Sequence, residues 1–110
     1  MSRHSSSVLI FPASYYQLDL FQAARDLGYR IATFDYAADN PGHRIADVSD
    51  IIDVRDLEAA LRFAQGQNIS AVCSACSDVS LAALAHISHH MGFPGPSPEL
   101  VDTVTSKINF

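Results

Sequence analysis

The sequence predicts an α/β fold in which a parallel sheet carries helices on both faces. Two observations lead there. Four short apolar runs, at residues 8–11, 30–35, 49–54 and 69–75, are rich in β-branched and aromatic residues and read as strands. Between them, apolar residues recur at i, i+3, i+4 and i+7, the spacing of one helix face. Strands alternating with helices in one short chain form right-handed crossovers and hence a parallel sheet.

The leader, residues 1–7, is polar and is expected to be flexible. Val8-Leu9-Ile10-Phe11 is the first strand, broken by Pro12-Ala13-Ser14. Leu20, Ala23, Ala24 and Leu27 then form a helical stripe. Gly28 stands where that helix needs a left-handed residue to stop. Arg30 to Asp35 is the second strand, ending in a carboxylate. Asn40-Pro41-Gly42 signals a turn, and residues 43–46 a single helical turn. The third strand spans residues 49–54. Asp56 caps a helix whose stripe is Leu57, Ala60, Leu61 and Ala64. After the fourth strand, Ser77-Asp78 caps a helix over residues 79–91. Gly92 to Pro96 is a breaker cluster. Ser97 then caps a last helix to about residue 105, with Pro98 and Glu99 in its first turn and Val101 and Val104 as its buried contacts.

A chain of 110 residues makes one domain the default. With 48% apolar and 17% charged residues it suits a compact core. A net charge of −5 leaves no basic footprint for nucleic acid and no polybasic membrane patch. The first apolar run is too short for a signal peptide or a membrane span, so a cytoplasmic location is expected.

Several residues could carry chemistry. Cys73 and Cys76 have C-x-x-C spacing, but Cys73 lies inside the apolar strand, where small buried residues are the better account. His86, His89 and His90 cluster on one side of a helix, away from Leu84, Ile87 and Met91, and read as solvent-facing. The first strand-to-helix turn, Pro12 to Gln17, lacks the glycines of a dinucleotide fingerprint. It can still present N–H groups and the Ser14 or Gln17 side chain to a carboxylate or phosphate. Asp35 can hold a ligand hydroxyl from the second strand end or be a solvated terminus. Ser77 and Asp78 lie on the same sheet edge and can bind a ligand or simply cap their helix. There is no P-loop, no H-E-x-x-H and no evident nucleophile–base pair.

Four segments together resemble the N-terminal, pre-ATP-grasp domain of the ATP-grasp ligases. This biotin carboxylase N-terminal-like fold is shared with carbamoyl phosphate synthases and amino-acid or peptide ligases. The segments are VLIFPASYYQLDLFQAARDLGY, FDYAADNPGHRIAD, AVCSACSDVSLAALAHISHHMGFPG and SPELVDTVTSKINF. The resemblance covers nearly all of the chain after the leader. Pro12 and Ser14 stand where the family usually has glycines, and Ser106 where Asp usually precedes Lys107.

The resemblance implies a Rossmann-like three-layer domain over residues 8–105, with about four parallel strands in order 3-2-1-4. Residues 106–110 would begin the connection to a missing C-terminal ATP-grasp module. It implies a small-molecule substrate held by Ser14, Gln17, Asp35, Ser77 and Asp78. The parent enzyme would bind ATP and Mg²⁺ in that other module, while this chain would hold neither and would not turn over ATP. Two other readings stand beside it. One is a stand-alone small-molecule or nucleotide-binding module; the other is an interaction domain that forms a homodimer through an exposed helix face.

Overall fold

A computed structural model describes residues 6–74 and 78–94. Its strands are β1 (Ser7–Ile10), β2 (Arg30–Asp35), β3 (Val48–Ile51) and β4 (Ile69–Cys73). Its helices are α1 (Leu18–Asp26), α2 (Gly42–Ile45), α3 (Leu57–Gln65) and α4 (Asp78–Met91), with a 3₁₀ turn at Tyr15–Gln17. All pairings are parallel and the strand order is β3-β2-β1-β4, as expected. Leu9 aligns with Ala32 on β2 and with Val72 on β4. The last helix expected over residues 97–105, and the Cys76 and Ser77 positions, lie outside the described residues.

The period of two along the strands sorts the core into two layers. Leu9, Phe11, Ala32 and Phe34 face α3 and α4, where Ala60, Ala64, Ala83 and Ile87 close over them. The small helix residues let α3 and α4 sit close to the sheet. Phe11 and Phe34 stack at 4.6 Å between ring centroids, and Phe63 meets Phe34 edge-on at 6.0 Å. Val8, Ile10 and Ile31 face the other way, against Phe21 and Ala24 of α1.

Two caps anticipated from sequence are present. Gly28 has φ +87° and its N–H donates to the Arg25 carbonyl, while the Tyr29 N–H donates to Ala24. This is the Schellman arrangement, which satisfies the end of α1 and turns the chain straight into β2. The Asp56 carboxylate accepts from the Ala59 N–H at 3.2 Å and starts α3.

Three expectations are corrected. The buried residues of α1 are Phe21 and Ala24, preceded by Gln17; of the expected stripe Leu20 is half-buried against them, while Ala23 and Leu27 are exposed. Phe21 has the larger apolar surface and takes the core position. The third strand starts and ends earlier than residues 49–54: Val48 already pairs with Ala32, and beyond Ile51 the Asp53 carboxylate accepts from the Arg55 N–H and side chain in a turn. His86 does not face solvent freely: its Nε2 lies 3.5 Å from Glu58 on α3, while His89 and His90 are exposed.

Candidate functional site

The carboxyl edge of the sheet is tied together by one carboxylate. Asp35 ends β2 on the α1 face and is 4% exposed. Its Oδ2 accepts from the Ala13 N–H at 3.0 Å and from the Asn40 amide at 2.7 Å. Its Oδ1 accepts from the Ala37 N–H at 3.0 Å. The first turn and the loop after β2 are therefore held against the same side chain. Three donors on a buried carboxylate offset the cost of taking its charge out of water.

Further bonds tighten the edge. The Gly42 N–H donates to the Ala13 carbonyl at 2.8 Å. The Ser74 hydroxyl donates to the Phe11 carbonyl at 2.7 Å, joining the end of β4 to the first turn. The Phe11–Pro12 peptide in that turn is cis.

A cavity of about 230 Å³ lies beside these loops, lined by Pro12, Ser14, Asp35, Tyr36, Asn40, Val54 and Ser80. Such a volume is below the usual range for drug-sized ligands, so it suits a small acceptor or one end of a larger molecule. Ser14 occupies the position before the 3₁₀ turn, yet its side chain makes no capping bond there. Ser14 is one of the polar residues on the cavity wall. Tyr15, Tyr16 and Tyr36 are exposed around this edge.

The residues expected to bind substrate are thus distributed unevenly. Ser14 and Asp35 share the cavity wall. Gln17 is buried at the start of α1 and is not on that wall. Asp78 begins α4, and Ser77 is outside the described residues. Tyr36, Asn40, Val54 and Ser80 line the cavity without having been singled out. Asn40 carried a usable signal: it lies five residues beyond Asp35, within reach of a carboxylate around one turn.

The chemistry available at this edge is hydrogen bonding. Among the described residues, no group of three or more His, Cys, Asp or Glu side chains is arranged to hold a metal. Burial pushes the Cys73 thiol above its ordinary pKa, the opposite of what a reactive thiolate requires. No described helix is long and apolar enough to cross a membrane.

No protein-family profile matches this chain, and no curated protein matches it in sequence. Solved structures do match it in fold. Phosphoribosylglycinamide synthetase from Anaerococcus prevotii superposes with a TM-score of 0.76 at 23% identity, over 86% of this chain and 24% of that one. N5-carboxyaminoimidazole ribonucleotide synthetase from Thermotoga maritima gives 0.69 at 15% identity, over 90% and 27%. The N5-carboxyaminoimidazole synthetase from Staphylococcus aureus, complexed with ADP, gives 0.69 at 14% identity, over 92% and 27%. These enzymes are ATP-grasp ligases, so the resemblance drawn from the four sequence segments is borne out as a shared fold. The chain spans about a quarter of the length of the enzymes it matches.

Proposed function

We propose that this chain is the N-terminal substrate-binding domain of an ATP-dependent carboxylate–amine ligase. The observation that carries the reading is the cavity at the carboxyl edge of the sheet, its two loops latched by Asp35. In open α/β sheets ligands bind beyond the carboxyl ends of the strands. The fold shared with ATP-grasp ligases supports the same reading.

In the parent enzyme ATP converts a carboxylate to an acyl phosphate, and an amine displaces the phosphate. ATP and Mg²⁺ are assigned to the ATP-grasp module of that parent, as the family resemblance implies. The chemistry Mg²⁺ would supply there is neutralisation of charge on the transferring phosphoryl group. This domain does no bond-breaking of its own and acts by positioning. Ser14 donates or accepts at the cavity wall. Asp35 binds through what it organises, fixing the Ala13 and Asn40 segments that frame the acceptor. The same substrate-contacting role is proposed for Gln17, Ser77 and Asp78, on the family resemblance. The location is cytoplasmic.

The test uses the intact ligase with Ser14→Ala and Asp78→Ala. The KM for the acceptor rises several-fold while the KM for ATP stays put. Unchanged acceptor KM in both variants would remove this edge from the site.

A further inference from the structure

The reversal between α1 and β2 brings two arginines to one cavity. Gly28, at φ +87°, turns the chain between Arg25 in the last turn of α1 and Arg30 at the start of β2. Both arginines line a cavity of about 310 Å³, together with Gly28, Tyr29 and Asp47. It lies at the amino end of β2. Asp35 stands at the other end of that six-residue strand, roughly 17 Å away. This cavity is therefore separate from the one at the carboxyl edge.

Arg25 is held in place. Its Nη2 donates to the Ile45 carbonyl and lies 3.7 Å from Asp47 Oδ2. That oxygen is itself fixed, since it accepts from the Ile31 N–H at 2.8 Å. Both contacts of Arg25 fall on one nitrogen of its guanidinium. Arg30 is exposed, and among the described residues its guanidinium has no hydrogen-bond or ion-pair partner. Two guanidinium charges against the Asp47 carboxylate leave the wall at +1, on a chain whose net charge is −5. Bare carbonyls at the end of α1 would repel an anion. Those of Ala23, Ala24 and Arg25 instead accept from the N–H groups of Leu27, Gly28 and Tyr29.

We propose that this cavity binds a phosphate group. A guanidinium presents its donors as a planar fork that meets phosphate oxygens in pairs. A fork already pinned, as at Arg25, loses little rotamer freedom on binding. A carboxylate has two oxygens and fills one fork, whereas a phosphate has enough oxygens for both. The cavity is larger than a phosphate group, which leaves room for a small organic part. The ligand class is thus inorganic phosphate or a small phosphate monoester.

The experiment titrates the ¹⁵N-labelled 110-residue chain with inorganic phosphate and with glycerol phosphate, at an ionic strength held constant with chloride. Saturable shifts are expected at the amides of Gly28, Tyr29, Arg30 and Ile31 and at the Nε–H groups of Arg25 and Arg30. Arg30→Gln is expected to raise the dissociation constant about ten-fold, the loss of one charge-assisted pair. Arg30→Lys keeps the charge but not the fork, and falls between. The Arg30 guanidinium supports no contact among the described residues, so these variants read binding rather than folding. Tighter binding of the glycerol ester assigns its organic part to the cavity, and equal affinity assigns the phosphate group alone; both uphold the site. Shifts that do not saturate, that persist unchanged in Arg30→Gln, or that acetate reproduces at the same concentration would overturn it.

Discussion

Gly42 and Ala13 meet backbone to backbone: the Gly42 N–H donates to the Ala13 carbonyl at 2.8 Å, and a Cβ on residue 42 would stand 2.6 Å from that same oxygen. The contact joins the loop after β2 to the first turn. It is possible only because residue 42 has no side chain. Both loops frame the candidate site, so a glycine chosen for packing is also a condition for the cavity.

Gly42→Ala is therefore destabilising. The obstacle is backbone, which cannot swing aside like a flexible side chain. A loss of about 1–3 kcal/mol is expected in urea denaturation, in line with overpacking elsewhere. Wild-type stability in this variant would mean that the two loops are free to separate.

Asp35 and Asn40 are expected to differ in cost. Asp35→Ala leaves the Ala13 and Ala37 N–H groups and the Asn40 amide without their acceptor. A loss on the order of 3 kcal/mol follows from unsatisfied buried donors. Asn40→Ala removes one donor and leaves two, for a loss of about 1 kcal/mol. Equal costs for the two variants, read from denaturation midpoints, would contradict the latch.

At Gly28 the argument is conformational rather than steric packing. With φ at +87°, an alanine pays the left-handed penalty, about 1 kcal/mol. Thermal unfolding of Gly28→Ala should show a correspondingly lower Tm, and an unchanged Tm would contradict the Schellman ending of α1.

Asp53 gives a pH prediction. The Arg55 side-chain hydrogen bond, reinforced by the Arg55 N–H, lowers its carboxyl from 3.8 to about 2. A lowered folded-state pKa stabilises above 3.8, and that contribution is lost as pH falls toward 2. Both groups are on the surface, so the contribution to folding is small. Arg55→Ala should raise the Asp53 midpoint toward 3.8 without reaching it, because the residue 55 N–H remains. A carboxyl ¹³C titration reads this directly, and an unmoved midpoint would remove Arg55 as the cause.

The fold was legible where local chemistry and tertiary need agree. β2, Gly28 and Asp56 carry signals that depend on neighbours within a few residues, and each stands where the sequence puts it. The face of α1 was not legible. Periodicity finds an apolar stripe but does not choose between Leu27 and Phe21, which a sheet on one side does. The site was half legible for a similar reason. Ser14 and Asp35 belong to strand ends, which topology brings together, and they share the cavity wall. Val54 reaches that wall from the connection between β3 and α3 and Ser80 from the first turn of α4, an approach no short pattern encodes.

The proposed function is that this domain positions an acceptor for an ATP-driven ligation performed together with an ATP-grasp module. The most direct measurement is ADP release by the intact gene product across a panel of small carboxylates and amines, with Ser14→Ala in parallel. The account predicts release that depends on one acceptor, with that acceptor's KM raised several-fold in Ser14→Ala and the KM for ATP unchanged. Release that ignores every acceptor, or a Ser14→Ala effect on ATP alone, would contradict it.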